Sequence, residues 1–215
     1  DTDYQRGRND TPRAIVLDSS GNIIVTGYCR SQTTGFIWDY STVKFDSNGN
    51  FLWHREYHLG DDRAYGVAVD SADNIIVVGT AKAGDSGNIH IIKYDSQGEV
   101  LWTKDFDSGN DDYGWGVATD SSDNIIIAGS SYSPITGIEN SLILKYAPDG
   151  SEQWKNTYTR TNVNAAYSLK ADHYDNIILG GLSYGSFVAI YDKGGKLLWD
   201  YDSSDFGVIY SVSID

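Results

Sequence analysis

The sequence has no methionine, a single cysteine and only three prolines among 215 residues. One cysteine, Cys29, excludes an intrachain disulfide, and its place at the end of an apolar segment favours a small buried side chain. Because the chain starts at Asp1 and lacks methionine, we expect that an initiator segment has been removed. A cleaved secretory signal explains that, and so does a fragment of a longer chain.

Positive charge is also scarce. The formal net charge is −14, and lysine and arginine never cluster in a run. Because nucleic-acid binding rests on clustered cations, a nucleic-acid partner is not expected. No apolar run approaches the roughly 20 residues that a membrane helix needs, so no membrane span is expected either.

The familiar catalytic motifs are missing as well. The chain has neither a G-x-S-x-G nucleophile elbow nor a glycine-rich phosphate loop that opens a helix. The four histidines fall on different elements with no metal-ligand spacing; they are His54, His58, His90 and His173. We therefore expect a protein that is not an enzyme and needs no cofactor. A carboxylate pair for glycoside hydrolysis, brought together from distant parts of the chain, stays open.

What the sequence does contain is an internal repeat. An aspartate closes each VAVD-like segment at Asp18, Asp70, Asp120, Asp172 and Asp215, at intervals of 52, 50, 52 and 43 residues. After each of the first four aspartates comes an apolar segment such as DNIIVVG, then one such as HIIKYD, then a tryptophan. These tryptophans are Trp53, Trp102, Trp154 and Trp199. Self-similarity at this period is typical of solenoids and propellers.

Each repeat predicts four short strands. In the second repeat they span 65–69, 74–78, 90–94 and 100–106. Turns such as DSADN and DSQGE join them, with Asp capping the backbone and Gly or Asn in the left-handed position. Connections this short force antiparallel neighbours, and segments that are apolar on both faces need burial between sheets. The sequence therefore predicts an all-β fold, a β-propeller of four-stranded antiparallel blades.

We predict one propeller domain, or propeller segment, over residues 1–215. The repeats cover residues 14–63, 64–113, 114–165 and 166–209; residues 1–13 match the last strand of a preceding repeat, and 210–215 the first strand of a following one. Four complete repeats plus two half-blade strands make about five blades' worth. Three interpretations stay open: a segment of a longer propeller, a five-bladed ring with a defective closing blade, or a ring that another chain completes.

The pattern GDDxAxGVAVDSxDNIIVVG followed by IxKYDxxGxxLW resembles the SBBP-type β-propeller repeat of bacteria and archaea. It is carried by Gly60–Asp62, 67–70 and 74–79, and again by 109–112, 117–120 and 124–129. The stretch 191–199 is similar to NHL and PQQ-type blades. The resemblance spans essentially the whole chain and implies an exported or cell-surface protein, often one module of a larger architecture, with no shared catalytic residues.

Aromatic residues are the first candidates for ligand binding. Each inner strand carries one five residues before its aspartate: Tyr65, Trp115, Tyr167 and Tyr210. On a propeller these positions fall near one mouth of the central channel, where rings could stack on sugar faces. Packing between neighbouring blades is the alternative. Trp38 lies on a loop that only the first repeat has, and it is a further binding candidate.

Carboxylates between the last strand of one repeat and the first of the next are the second group. They are Asp61, Asp62, Asp111 and Asp112, with Asp10 and Asp205 roughly equivalent. Oxygen ligands of this kind suit calcium, and capping of the loop backbone is the alternative. One lysine recurs in the third strand as Lys44, Lys93 and Lys145, with Ile190 in the fourth repeat. We predict that it reaches an aspartate or the solvent edge.

Together these features predict a non-catalytic extracellular or cell-surface scaffold or adhesion module that binds a protein or glycan at one face. A propeller lectin with repeated carbohydrate sites is the alternative, and a polysaccharide hydrolase or lyase a more distant one. Partners that complete the ring, either further propeller repeats or another chain, are also expected.

Overall fold

The structure is a computed structural model that describes residues 10–30, 37–82, 84, 86–133, 135–158, 165–183, 185–203 and 207–214. All regular structure in these ranges is β-strand, as the turn-rich sequence predicts. The described part of the chain contains no helix that could cross a membrane.

In the described part of the chain, sixteen strands form four sheets, which we call blades 1 to 4. Blade 1 consists of β1 (Asp10–Leu17), β2 (Ile23–Arg30), β3 (Trp38–Phe45) and β4 (Phe51–Tyr57). Blade 2 consists of β5 (Arg63–Val69), β6 (Ile75–Ala81), β7 (Asn88–Tyr94) and β8 (Val100–Phe106). Blade 3 consists of β9 (Asp112–Thr119), β10 (Ile125–Ser133), β11 (Ile138–Tyr146) and β12 (Glu152–Tyr158). Blade 4 consists of β13 (Ala165–Ala171), β14 (Ile177–Leu182), β15 (Ser186–Tyr191) and β16 (Leu197–Asp202).

In every blade the strands pair antiparallel in chain order. The predicted β-propeller architecture is thus confirmed for four blades. The strand limits differ slightly from the prediction. Asn74, predicted to open the second strand of its repeat, belongs to the turn, because its carbonyl accepts the Asp70 N–H at 3.0 Å. The ladder instead continues further at the other end, where Thr80 pairs with Arg63.

The blades stack face to face through their apolar segments. β6 is buried along its whole length. Its side chains Ile76 and Val78 meet Ile125 and Ile127 of β10 in the core between blades 2 and 3. Similar cores join blade 1 to blade 2 and blade 3 to blade 4. The apolar segments are therefore buried between sheets as predicted, since both faces of these strands are covered.

The predicted lysines clamp adjacent blades together. Lys93 Nζ lies 2.9 Å from Asp70 within its own blade and donates to the Pro148 carbonyl of the next blade at 3.1 Å. Lys44 and Lys145 make the same pair of contacts, with Asp18 and Asp120 as their acids. The tryptophan Nε1 of β4, β8 and β12 donates to the same carbonyl as the lysine of its blade. Both sets of residues are structural.

A second inter-blade contact lies in the turns between first and second strands. Asp73, Asp123 and Asp175 occupy the left-handed position, with φ of 60°, 59° and 64°. The prediction placed Gly or Asn there, which holds only for Gly21. The aspartates are used because each carboxylate reaches the preceding blade. Asp123, for example, accepts from the N–H of Ser71 at 2.8 Å and from its hydroxyl at 2.6 Å.

Residues 207–214 belong to no sheet of the described chain. They follow the inner edge of blade 4, where the Val212 N–H donates to Ser168 Oγ at 3.1 Å. That they begin a further repeat stays a prediction. The predicted strand of a preceding repeat falls mainly on residues 1–9, and these, like Asp205 and Asp215, lie outside the described residues.

Candidate functional site

The candidate aromatic residues sit at a β-bulge that every blade repeats. In blade 2, Ala64 pairs with Gly79 and Gly66 with Val78, so Tyr65 has no ladder partner. Trp115 and Tyr167 are left out in the same way in β9 and β13, and Arg13 in β1. A bulge releases the extra residue from the regular pleat. The same β-bulge therefore frees the side chain at one equivalent position of all four inner strands.

The bulge also explains a glycine in each second strand. A Cβ on Gly79 would lie 2.0 Å from the Arg63 carbonyl oxygen, and one on Gly129 would lie 2.2 Å from that of Tyr113. Only glycine lets the bulged strand approach so closely. The glycine that ends each IIVVG-like segment is therefore needed for the bulge that exposes the aromatic residue.

The rings of these residues form a continuous chain across the blades. Ring centroids lie 4.7 Å apart for Tyr65 and Trp115, 5.4 Å for Trp115 and Tyr167, and 5.5 Å for Tyr167 and Tyr210. We call this row, together with Tyr28, Tyr113 and Trp38, the aromatic band. Four of the five predicted residues are partly buried, whereas Tyr210 is 73% exposed. The rings thus pack between blades and also present a surface.

Trp38 belongs to the same band through a residue that the sequence did not single out. Tyr28 lies 5.1 Å from Trp38 and 6.2 Å from Tyr65, ring centre to ring centre. The signal for Tyr28 was available: the other blades carry Thr80, Ser130 and Leu182 after their strand glycine. Tyr113 also escaped notice and stacks nearly parallel on Trp115 at 5.4 Å. All five predicted aromatic residues are therefore joined in one row of ring contacts; that this row lies at a channel mouth stays a prediction.

Cations flank the band at its blade 1 end. The Arg13 guanidinium lies 5.5 Å from the Tyr28 ring centre and 5.4 Å from that of Tyr65. Arg30 lies 5.2 Å from the Trp38 ring centre. Such cation–π contacts hold the rings and leave guanidinium donors beside them. Arg13 stands where the other blades carry an aromatic residue, and here it covers its aromatic neighbours.

The four candidate carboxylates divide into two roles. Asp61 and Asp111 face a pocket of about 150 Å³, which is lined by Asp61, Arg63, Tyr65, Thr80, Lys82, Gly87, Asp111 and Tyr113. Asp61 pairs with Arg63 at 2.9 Å, and Asp111 accepts the Gly87 N–H at 2.8 Å. The pocket joins the acids to the aromatic band at the junction of blades 2 and 3.

Asp62 and Asp112 instead point inward and are fully buried. Asp62 accepts from the N–H groups of Leu59, Gly60 and Lys82. Asp112 accepts from the N–H and hydroxyl of Ser108 at 2.7 and 2.9 Å. Burial raises the pKa of Asp112, and hydrogen bonds from Ser131 and Ser108 oppose that rise. These two side chains cap their loops, and the four acids do not converge on one centre. Calcium binding stays a prediction.

The phenols of the band are held in their neutral form. Burial raises the pKa of Tyr65, Tyr113 and Tyr167 above the ordinary value for tyrosine. They therefore remain O–H donors throughout the physiological range. Flat apolar rings with polar edges and guanidinium groups suit stacking against a sugar ring or a partner's aromatic and proline side chains.

Comparisons with known proteins agree with the fold. No family model matches the chain. It is similar to an uncharacterized WD repeat-containing protein of Acanthamoeba polyphaga mimivirus, with 24% identity over 196 residues, which cover 91% of this chain and 12% of that protein.

Two solved structures extend this result. The Dos1 propeller has a TM-score of 0.62 at 13% identity, and the match covers 92% of this chain and 49% of that one. A polysaccharide lyase, the PL25 ulvan lyase, has a TM-score of 0.53 at 13% identity, covering 86% of this chain and 53% of that one. The chain spans about half of either structure and an eighth of the viral relative. At this identity the likeness concerns the fold: the chain is a β-propeller repeat protein, and the narrower SBBP-type resemblance stays a prediction.

Proposed function

We propose that this chain is a non-catalytic propeller scaffold, extracellular or at the cell surface, which binds a protein or glycan through the aromatic band. The band carries the proposal: seven rings from all four blades and the segment after them form one unbroken row of ring contacts. Interface cores are enriched in Tyr, Trp and Arg, and WD-repeat and propeller relatives fit a binding scaffold. The acidic charge and exported SBBP-type resemblance support the location.

A glycan is the second candidate ligand, and the structure favours a different number of sugar sites from the one predicted. The lectin hypothesis predicted one separate sugar site in each blade. Since Trp115 contacts both Tyr65 and Tyr167, the band favours one extended site that spans blades. A glycan ligand would therefore bind with one equivalent per chain. The ulvan lyase shares the fold alone, and that likeness carries no argument for a hydrolase or lyase activity of this chain.

The test is a binding screen with paired tryptophan variants. Trp115→Ala removes the centre of the band, where Trp115 contacts Tyr65, Tyr113 and Tyr167. Trp199→Ala is the matched control, because Trp199 is 52% exposed and lies on the outer strand of blade 4. Each protein is screened on a glycan array and by pull-down from cell-envelope extract, once with calcium and once with EDTA. Circular dichroism verifies that both variants are folded.

Trp115→Ala is expected to weaken the identified ligand by about 30-fold, as for a central interface aromatic. Trp199→Ala should bind like the parent chain. Equal loss in both variants would place the ligand elsewhere. Sensitivity to EDTA would show that ligand binding needs a metal ion, and full binding in EDTA would show that it does not.

A further inference from the structure

Three potential metal ligands meet between blades 1 and 2. Oxygens of Asp39 and Asp62 and a ring nitrogen of His58 all lie within 4.8 Å of one another. Asp39 lies on β3, His58 directly follows β4, and Asp62 directly precedes β5. Within the described ranges no other group of three such side chains comes as close. Only Asp62 of the three was among the metal ligands predicted from the sequence, because Asp39 and His58 occur in the first repeat alone.

The two acids are placed where charge is costly. Asp39 is 4% exposed and Asp62 is not exposed at all. Asp39 Oδ1 lies 2.6 Å from His58 Nδ1, whereas the three N–H donors of Asp62 supply no full charge. One imidazolium balances at most one of two neighbouring carboxylates, and a divalent cation balances both.

The next junction along the chain shows which residues are special. Asp112 takes the place of Asp62 between blades 2 and 3, and Ser108 stands four residues before it, as His58 does before Asp62. Asn88 stands five residues before Lys93, as Asp39 does before Lys44. There Ser108 simply donates to Asp112. An aspartate can thus cap this loop without a histidine or a second acid beside it. The junction of blades 1 and 2 nevertheless contains both.

We propose that Asp39, His58 and Asp62 form a binding site for a divalent transition-metal ion of the zinc type. One imidazole nitrogen and two carboxylate oxygens suit zinc better than calcium, which takes six to eight oxygens. His58 is 45% exposed in its side chain and leaves the ion a route in from solvent. On binding, the ion would replace the present contact between His58 Nδ1 and Asp39 Oδ1.

The site also adjoins one end of the aromatic band. The Asp62 N–H donates to the Trp38 carbonyl at 2.7 Å, and Asp61 Oδ1 accepts the Trp38 N–H at 3.2 Å. An ion held by Asp62 would fix the backbone of Trp38, which is a candidate binding residue. The metal site is therefore separate from the band but mechanically linked to it, and it does not depend on the proposed function.

The experiment is calorimetric titration of the full chain, stripped with EDTA, with zinc sulfate, manganese chloride and calcium chloride in separate runs. The variants are His58→Gln, which changes a partly exposed ligand, and Asp39→Asn. His173→Gln is the matched control, because His173 is exposed in a turn of blade 4. Thermal unfolding with and without each ion gives a second readout.

We expect one zinc per chain, with a dissociation constant in the low micromolar range or below, and a zinc-dependent rise in Tm. Affinity should fall at least about 10-fold in His58→Gln and stay unchanged in His173→Gln. The proposal is wrong if the parent chain binds no zinc at about 100 µM, or if His58→Gln binds as tightly as the parent. If Asp39→Asn does not fold, His58→Gln alone decides the question.

Discussion

At the scale of single residues, the lysine of each third strand shows how a charge is built into an apolar interface. Lys93 is 3% exposed and has two partners, the Asp70 carboxylate and the Pro148 carbonyl of the next blade. Burial alone would raise the pKa of Asp70, but hydrogen bonds from Lys93 and Asn74 outweigh burial and lower that pKa. The charge of the acid is thus maintained by its lysine.

Lys93→Met should lower the free energy of unfolding by about 3 kcal/mol at pH 7, because it leaves Asp70 buried without its cation. Urea unfolding measures the loss. Lys170→Met is the matched control, since Lys170 is exposed on β13, and its loss should stay within about 0.5 kcal/mol.

The same variant has a defined dependence on pH. In the parent chain the folded-state pKa of Asp70 is lowered, so its stabilisation is present above the unfolded pKa and is lost as pH falls through the folded value. Without Lys93, burial dominates and protonation of Asp70 favours the folded state. The difference between parent and variant should therefore shrink from pH 7 towards pH 3. A difference that stays constant over that range would show that lost packing, and not charge, is the cause.

Five of the seven rings in the aromatic band were predicted from the sequence, but their geometry was not. The period placed Tyr65, Trp115 and Tyr167 at one position of successive blades, and the structure brings their rings into contact. The period could not show the bulge, because an unpaired residue leaves the count of residues unchanged. Tyr28 and the Asp39–His58 pair were missed for a related reason: they occur in one repeat only, so comparison among repeats does not reveal them.

At the scale of elements, the hairpin between the third and fourth strands serves as a socket for the preceding blade. Gly98 has φ of +82°, and the Trp53 ring lies against its Cα face, 2.9 Å from where a Cβ would stand. Gly150 and Gly195 hold Trp102 and Trp154 in the same manner. Gly49 has φ of +84° in the equivalent turn of blade 1, yet among the described residues none comes within 4 Å of its Cβ position. Gly49 is therefore an internal comparison for Gly98, because the two share a left-handed φ but only Gly98 has a tryptophan ring against it.

Gly49→Ala and Gly98→Ala should therefore differ in cost. Both place alanine in the left-handed region, which costs about 1 kcal/mol. Gly98→Ala also displaces the Trp53 ring, which should bring its total loss to about 2–3 kcal/mol. Urea unfolding compares the two, and the quenching of tryptophan fluorescence reports on the ring. Equal losses would mean that the ring shifts freely and that the turn does not function as a socket.

At the scale of the whole molecule, the blades form a stack in which each packs on its neighbours in the chain. The inner strands touch in sequence, β1 with β5, β5 with β9 and β9 with β13. In blade 1, Ile15 and Leu17 are 67% and 59% exposed, and in blade 4 Trp199 and Tyr201 are 52% and 58% exposed. Stability in such arrays is approximately a sum over repeats and nearest-neighbour interfaces. The repeat period in the sequence predicted that the blades stack. Which blade faces remain exposed depends on contacts between blades, which the period does not show.

This arrangement predicts a gradient of local stability that hydrogen exchange can measure. β2 and β10 are both second strands with antiparallel partners on either side, so their ladders alone would protect their amides equally. β10 lies between two blades, with Ile125, Ile126 and Ile127 fully buried, whereas Ile23 and Val25 of β2 are only partly buried. We therefore expect amides of β10 to exchange at least about 10-fold more slowly than those of β2, which is about 1.4 kcal/mol in opening free energy.

Exchange should be followed by mass spectrometry at two protein concentrations. If β2 matches β10 only at the higher concentration, self-association covers the blade 1 face; if it matches at both, nearest-neighbour packing does not set the stability of the stack.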